Sequence, residues 1–189
     1  VNTPSGTTTI LGNYVFGYST SGRVDNQGTW INQGPSMVSI ERSGTSGGEF
    51  KSTGLFEIRD ATFKLLNPPS DFQNSFNSSV RLRNGIFDSG TYLLSFVQGK
   101  FLEGNGTVLG PLRVDGGKID PQASDGGPYG VLNVVGNAEF ANAAEVVVDV
   151  GGTGPAQHDR LNISGSALWS KVRPRVRMLG GYAPTIDTS

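Results

Sequence analysis

The feature that most constrains the fold is a short motif that recurs through the last two thirds of the chain. A first apolar residue is followed by a second one two positions later, by a glycine or small polar residue four positions later, and by a third apolar residue seven or eight positions later. The motif begins at Phe56, Val80, Leu94, Leu112, Leu132 and Leu161. Alternating apolar residues indicate a strand with one buried face, and Gly, Asn or Asp suits a tight corner. The motif therefore predicts short strands joined by corners.

The spacing of the motif indicates how these strands are arranged. Successive copies begin at uneven intervals that average about 21 residues, which is the size of a solenoid repeat. Such a coil cannot bury its inner face alone, but coils stacked ~4.8 Å apart bury a continuous apolar column and pair their backbones above and below. We therefore predict an all-β fold, a β-solenoid with degenerate coils. An antiparallel β-sandwich or jelly roll is the alternative, because it also has short alternating strands and frequent turns.

The motif also divides the chain into two regions. Residues 51–189 carry it and are expected to form the solenoid repeat region, whereas residues 1–50 carry it only faintly and are expected to form irregular N-terminal coils or a cap. The uneven intervals predict loops that protrude between coils at 67–79, 122–130 and 151–158. We expect the solenoid repeat region to be truncated at its C-terminus.

The composition excludes several functional classes. The chain contains no Cys and one His, which rules out disulfide frameworks, cysteine-based zinc and iron–sulfur sites, and thiol nucleophiles. A net charge of -1 gives no general attraction to nucleic acid, and no apolar run is long enough for a membrane helix. We therefore expect no cofactor, no nucleic-acid partner and no membrane insertion.

Carboxylates are the groups that a polysaccharide-cleaving enzyme would need, as converging pairs. The second half of the chain offers Asp115, Asp120, Asp125, Asp149 and Asp159. Their spacing does not recur at equivalent coil positions, so we predict no stacked carboxylate pair, no catalytic residue and no enzymatic activity. Aspartates that cap their own corners account for these residues. The Asp-Gly-Gly corners at 115–117 and 125–127 leave an isolated calcium site open.

Arginines mark the candidate binding surface. Arg173, Arg175 and Arg177 alternate with apolar residues and proline, so a strand would place them on one outer face, and Arg81 and Arg83 do the same earlier. Guanidinium groups bind carboxylates and sulfates, which makes this surface a candidate for a glycan or protein partner. The alternative is a solvated face whose charges discourage pairing at a strand edge.

Several stretches beyond Leu112 share a further pattern. They are Gly-Lys-Ile-Asp-Pro at 117–121, Gly-Val-Leu-Asn-Val-Val-Gly at 130–136, Gly-Gly-Thr-Gly at 151–154, His-Asp-Arg-Leu-Asn-Ile-Ser-Gly at 158–165 and Gly-Tyr-Ala-Pro at 181–184. This pattern resembles the passenger-type repeats of bacterial autotransporters and of autotransporter-associated β-strand repeat surface proteins. His158 stands where that pattern usually has tyrosine. The chain also stops just after Gly-Tyr-Ala-Pro, where the pattern normally continues with another strand, and the resemblance therefore implies a truncated C-terminus.

The resemblance implies a right-handed parallel β-helix that is exported to the bacterial surface. The expected function is that of a secreted or surface-exposed structural or adhesive segment, without enzymatic activity. The alternatives are a polysaccharide-active β-helix enzyme and an accessory structural subunit of a larger extracellular assembly. We expect glycan or protein partners on the outer faces, and end-to-end contact with further chain or another protomer.

Overall fold

The protein is built from short β-strands. The structure, a computed structural model, describes residues 1–18, 23–42, 49–67, 76–122 and 129–184, and these residues contain no helix. In chain order the strands are β1 (Thr7–Leu11), β2 (Tyr14–Tyr18), β3 (Arg23–Asn26), β4 (Thr29–Gln33), β5 (Met37–Arg42), β6 (Glu49–Ser52), β7 (Leu55–Arg59), β8 (Thr62–Asn67), β9 (Ser79–Asp88), β10 (Leu94–Val97), β11 (Phe101–Leu109), β12 (Leu112–Asp115), β13 (Lys118–Asp120), β14 (Val131–Val135), β15 (Ala138–Ala141), β16 (Glu145–Val150), β17 (Arg160–Ile163), β18 (Ala167–Trp169) and β19 (Arg173–Met178).

The strands stack in three columns along the solenoid. Column 1 contains β1, β4, β7, the first half of β9, the first half of β11, β13, β16 and β19. Column 2 contains β2, β5, β8, the second halves of β9 and β11, β14 and β17. Column 3 contains β3 and β6 and, further along, β10, β12, β15 and β18. All of these strands pair in parallel. This arrangement confirms the β-solenoid and excludes the antiparallel sandwich or jelly roll.

Most of the interior is filled by apolar residues that the motif identified, such as Leu82 and Ile119, which are fully buried. The motif is wrong at two positions: Leu102 is fully buried in place of Phe101, which is half-buried, and Leu168 is 62% exposed. Aromatic rings fill the N-terminal half: the Phe56 ring lies 5.2 Å from that of Trp30, 5.2 Å from that of Phe63 and 5.4 Å from that of Phe76. Each fully buried side chain of this size contributes about 1.5–3 kcal/mol. The core therefore runs along the solenoid axis as one continuous cluster.

The motif marks corners of the coil and not whole coils. Four positions after the start of the motif lies a corner residue with positive φ at Asp60 (49°), Asn84 (52°) and Gly116 (74°). The first two corners join column 1 to column 2, whereas the third joins column 3 to column 1. The true coil length is the step between successive strands of column 1, which is shortest from β11 to β13 and longest from β16 to β19. The mean interval of the motif is therefore not the coil length, because some successive copies lie within one coil and others lie in successive coils.

Residues 1–50, where they are described, belong to the same columns, with β1 to β6 stacked in parallel. Their motif is faint because part of this interior is polar. The Asn2 side-chain amide donates to Asn26 Oδ1 (2.9 Å), the Asn26 amide donates to Ser52 Oγ (3.1 Å), and Ser52 Oγ lies 2.5 Å from Ser78 Oγ. Asn26, Ser52 and Ser78 are fully buried, so this ladder satisfies polar groups that would otherwise be costly inside the protein.

One of the three predicted loops lies within the described residues for its whole length. Residues 151–158 connect β16 to β17, and the Gly151 and Gln157 N–H groups donate to the carbonyls of Gln157 and Gly154. Thr153, Pro155 and Ala156 are exposed, as expected of a protruding loop. The centres of the other two predicted loops, 68–75 and 123–128, lie outside the described residues.

Gly104 provides a test of how tightly the coils stack. It has φ of 111°, and a β-carbon at this position would lie 1.9 Å from the carbonyl oxygen of Leu82 in the preceding coil. Gly104→Ala is therefore expected to lower the free energy of unfolding by about 2–4 kcal/mol, measured by urea denaturation, through backbone strain plus overpacking.

Gly34→Ala is the matched control. Gly34 also has positive φ (86°), but a β-carbon there meets nothing within 4 Å. Gly34→Ala is therefore expected to lower the free energy of unfolding by only about 1 kcal/mol, which is the cost of the positive φ alone. Equal losses in the two variants would contradict the close approach of successive coils at Gly104.

Candidate functional site

The outer face of column 1 carries a network of charged residues. The parallel register places Glu57, Arg81, Glu103 and Asp120 next to one another on successive strands. Neighbouring strands are about 4.8 Å apart, so opposite charges at equivalent positions attract and like charges repel. We call the outward side chains of column 1 from Glu57 to Arg177 the charged face.

Glu57 lies at one end of the charged face and is held by two arginines. Arg59 Nε donates to Glu57 Oε1 at 2.8 Å, and Arg83 Nε donates to the same oxygen. The side chain of Glu57 is 4% exposed because the arginine side chains cover it. Burial opposes ionisation, but the hydrogen bonds from Arg59 and Arg83 outweigh it and hold the pKa of Glu57 below its usual value. Glu57 is thus a buried carboxylate that remains charged.

The next group along the face links three strands. Arg81 Nη2 lies 2.6 Å from Glu103 Oε1, and Lys118 Nζ lies 3.5 Å from Glu103 Oε2 and 3.2 Å from Asp120 Oδ2. The same Lys118 ammonium lies 5.5 Å from the centre of the Phe101 ring, a favourable cation–π distance. Each carboxylate in this group is therefore compensated by at least one cation.

The far end of the charged face gathers two buried aspartates around one guanidinium. Arg177 contacts Asp149 through Nε and through Nη2, the latter at 2.9 Å from Oδ2, and its Nη2 also lies 3.2 Å from Asp120 Oδ1. Asp120 is 1% exposed and Asp149 is 7% exposed. The sequence predicted no carboxylate pair stacked at equivalent coil positions, and it gave no sign that Asp120 and Asp149 meet at Arg177. Coils of unequal length bring these unequally spaced residues together.

A third aspartate lies behind this pair and joins two segments of backbone. Asp159 Oδ1 accepts the Gly130 N–H at 2.7 Å, and Oδ2 accepts the Asp149 N–H at 2.8 Å. Burial raises the pKa of Asp159, the two backbone hydrogen bonds oppose this, and the charges of Asp149 and Asp120 add to the rise. Both carboxylate oxygens of Asp159 accept hydrogen bonds from the backbone, so this side chain has a structural role and links Gly130 to Asp149.

The five arginines predicted to form a binding surface all lie in column 1, but four of them have acidic partners. Arg81 pairs with Glu103, Arg83 with Glu57, and Arg177 with Asp149 and Asp120. Arg175 Nη1 lies 3.3 Å from Glu145 Oε1, and its side chain is 66% exposed. Within this set of arginines, the exposed end at Arg173 and Arg175 is the part that offers positive charge to a ligand.

Arg173 lines a groove along the corner between columns 3 and 1. Two adjoining depressions of about 510 and about 330 Å³ share Gly116, Ala143 and Arg173. The depressions are lined further by Gln98, Asp115, Asn142, Lys100, Lys118 and Glu145. We call this depression the corner groove.

Two glycines, Gly116 and Gly117, line the corner groove. Asn142 and Ala143 both have positive φ, 53° and 66°, which is a strained conformation of the kind that clusters at functional sites. The groove can offer amide, ammonium and guanidinium donors to a hydroxylated or anionic ligand.

The other sequence candidates have structural roles where the structure describes them. His158 forms an antiparallel bridge with Val150 at the base of the 151–158 loop. Asp115 accepts a hydrogen bond from the Asn142 amide at the corner groove. Asp125 lies outside the described residues. Among the described residues, no three acidic or histidine side chains come together in a way that could hold a metal ion. The described part of the chain also contains no helix that could cross a membrane.

The ion pairs of the charged face were missed by sequence reasoning, although a signal for them exists. Outward positions in β7, β9 and β13 read Glu-x-Arg, Arg-x-Arg and Lys-x-Asp around one buried residue. Opposite charges on strands that are neighbours in the column predict pairing, but only once the strand register is known. Sequence reasoning considered the arginines alone, without the carboxylates of adjacent coils.

Comparisons with known proteins add no relatives. The chain matches no protein-family model, no curated protein and no solved structure. The charged face and the corner groove are therefore interpreted from their own geometry.

The lowered pKa of Glu57 predicts a loss of stability in acid. Its ion pairs contribute stability above the ordinary glutamate pKa of 4.5, and this contribution is lost as the pH falls through the lower pKa of the folded state. Glu57→Gln is expected to lower the free energy of unfolding by about 2 kcal/mol at pH 7. This difference in stability from the unmodified protein should become smaller below pH 4.5. Urea denaturation at a series of pH values measures this.

Glu139→Gln is the control for that experiment. Glu139 has a side chain that is 39% exposed, and it lies 3.7 Å from Arg113 on the surface. Its replacement should change stability by less than about 0.5 kcal/mol at any pH. If Glu57→Gln and the unmodified protein instead keep the same difference in free energy of unfolding below pH 4.5, that result would contradict the lowered pKa of Glu57.

Two neighbouring arginines on β19 provide a matched test of the aspartate cluster. Arg177→Met leaves Asp120 and Asp149 buried without this cation, which is expected to cost about 3 kcal/mol. Arg175→Met removes a pair that faces water and should cost less than about 1 kcal/mol. Thermal and urea unfolding of both variants measure the difference, and similar losses would show that Arg177 does not hold the cluster together.

Proposed function

We propose that this chain is a structural and adhesive β-solenoid segment of a secreted or surface-exposed bacterial protein of the autotransporter-like kind. The observation that carries the proposal is the filled interior. Apolar side chains occupy the axis from Trp30 to Phe140, so the surfaces available to a ligand lie on the outside of a rigid stack. The absence of Cys and the repeat pattern beyond Leu112 favour export, and both agree with this role.

The corner groove is the part of the surface that we assign to adhesion. Most carboxylates of the charged face are already paired with its own cations, so this face has little free charge to offer. The groove combines the exposed Arg173 with the amides of Gln98 and Asn142. Such a set of donors suits the hydroxyl and carboxylate groups of a glycan.

A polysaccharide-active enzyme is the second candidate, and the cluster around Arg177 is the observation that favours it. Three aspartates and a guanidinium lie together, and the pKa of Asp159 is raised, as a general acid would require. However, all three carboxylates are buried, and their oxygens are bonded to Arg177, to Lys118 or to backbone N–H groups. A substrate would first have to displace these partners, so we favour the non-enzymatic role.

The proposal is tested on intact cells of the source organism. Antibodies raised against the chain are expected to label cells that have not been permeabilised, and brief treatment of intact cells with protease should remove the label. The purified chain, incubated with a panel of uronic and neutral polysaccharides, should release no new reducing ends or unsaturated products.

Two outcomes would contradict the proposal. Labelling that requires permeabilised cells would exclude a surface role. Release of products that is lost in Asp159→Asn would favour the enzyme, and Glu139→Gln serves as the control because Glu139 lies away from the aspartate cluster on β15.

A further inference from the structure

A second depression lies at the other end of the column 1 strands, where the chain turns from column 1 into column 2. Its volume is about 520 Å³. It is lined mainly by corner residues of successive coils and by the first residues of the strands that follow them, among them Asn13, Pro35, Met37, Asp60, Asn84 and Ile86. We call it the Asp60 depression.

The Asp60 depression lies within the stack of coils. Among the described residues, β4 pairs with β1 and β7, β5 pairs with β2 and β8, and β8 pairs with β5 and β9. The corner backbone is bonded as well, since the Gly34 N–H donates to the Arg59 carbonyl at 3.0 Å and the Thr62 N–H donates to the Ser36 carbonyl at 2.9 Å. The depression is therefore preformed and offers no free strand edge, so a ligand has to be recognised by side chains.

Asp60 supplies the only charge among the described residues that line the depression, and it is exposed. Arg59 precedes it in the chain and Arg83 lies beside it in the next coil, but both of these arginines donate to Glu57. Within the described part of the chain, the Asp60 carboxylate has no hydrogen-bond donor or cation of its own, in contrast to the carboxylates of the charged face. It is therefore able to accept hydrogen bonds from a ligand.

Two asparagines add amide donors to the depression. Asn13 Oδ1 accepts the Met37 N–H at 2.8 Å, and Asn84 Oδ1 accepts from the Asn105 amide at 2.8 Å. These bonds orient both amides and leave each Nδ2 without an acceptor among the described residues. Asn13, Asp60 and Asn84 belong to the first, third and fourth coils, so the three polar groups are spread over about 14 Å along the axis.

Apolar side chains complete the surface of the depression. Met37 is 45% exposed, Pro35 is exposed and Ile86 is half-buried. A sugar ring has C–H faces that pack against such side chains, and hydroxyl groups that pair with carboxylates and amides. A few polar groups on an apolar surface are what a small-ligand site requires, and the polar groups set the orientation of the ligand. The depression therefore suits a hydroxylated ligand.

Other classes of ligand fit this surface less well. An anion would be repelled by Asp60, and a metal ion would find a single carboxylate. An extended peptide would find no free strand edge to pair with. The spread of the polar groups over several coils favours an oligomer over a single sugar.

We propose that the Asp60 depression binds a short neutral oligosaccharide. Hydroxyl groups of the ligand donate to the Asp60 carboxylate and accept from the Asn13 and Asn84 amides, and its apolar faces lie against Met37 and Ile86. The ligand carries no charge, in contrast to the carboxylate-bearing glycan assigned to the corner groove. This inference does not depend on secretion or on binding at that groove.

Isothermal titration calorimetry with the full chain measures this binding. The probes are short oligomers of glucose, mannose, galactose and N-acetylglucosamine, with oligogalacturonate as the charged comparison. At least one neutral oligomer is expected to bind. Its affinity should change less than about twofold between about 0.05 and 0.5 M salt, because no ion pair forms on binding. Oligogalacturonate should not displace it, because Asp60 repels a carboxylate.

Two variants of the full chain identify the site. Asp60→Asn keeps the size of the side chain and tolerates the φ of 49°, so its thermal stability should be unchanged. Its affinity for the neutral oligomer should fall about tenfold or more, because the hydrogen bonds lose their charged acceptor. Asn84→Gly removes an amide where glycine accepts the φ of 52°, and it should reduce the affinity several-fold.

Glu139→Gln is the matched control. It also removes an exposed carboxylate, but from β15 in column 3, and it should leave the affinity for the neutral oligomer unchanged. Thermal unfolding establishes that each variant is folded.

Several results would overturn the proposal. They are absence of binding by every neutral oligomer, displacement of the neutral oligomer by oligogalacturonate, and equal affinities of Asp60→Asn and Glu139→Gln. If oligogalacturonate binds and no neutral oligomer does, the Asp60 depression is excluded as a glycan site while the assignment of the corner groove stands. If a neutral oligomer binds and oligogalacturonate does not, the corner groove loses its support and the Asp60 depression keeps its own.

Discussion

In-register parallel pairing between successive coils is the constraint on which the rest of this structure depends. Each residue lies about 4.8 Å from its equivalent in the next coil, so the chemistry of a position is repeated as a column. Inside, the columns are apolar or, near the N-terminus, a ladder of Asn and Ser side chains. At corners, close approach of two backbones excludes a β-carbon, as at Gly104 against Leu82. Outside, a column of like charges would repel, so acids and bases are interleaved.

Because acids and bases alternate on the charged face, most of its charges are paired with one another and stabilise the fold. Only groups at its margins are left to bind a ligand. Glu57, Asp120 and Asp149 are nearly buried under the arginine and lysine side chains that compensate them. Removing one partner would leave a charge in a poorly hydrated place, which is far more costly than losing an exposed pair. We therefore propose that ligand binding falls to groups outside these ion pairs, such as Arg173 and Gln98 of the corner groove.

The sequence was sufficient to predict the fold because the strand pattern is local. Pairs such as Phe56 with Ile58 identify inward positions, and Asp60 identifies a corner from its neighbours alone. The coil length and the aspartate cluster could not be predicted in the same way. They depend on which residues become adjacent after loops of unequal length, and Arg177 meets Asp120 across 57 residues of chain. The polar ladder escaped prediction because Asn and Ser in a core are indistinguishable, in sequence, from loop residues.

The concentration of positive charge in the last coil gives the solenoid an electrical polarity that its net charge of -1 conceals. Residues 160–184 have a formal charge of +5, from five Lys and Arg and no acid, whereas residues 1–159 have ten Lys and Arg against fifteen Asp and Glu, a formal charge of -5. The charge of this segment is therefore distributed as a dipole along the solenoid axis. A negatively charged surface is expected to orient the segment with residues 160–184 towards it. Because the screening length is about 10 Å at 0.1 M salt, this orientation acts only close to the surface and is strongest in dilute media.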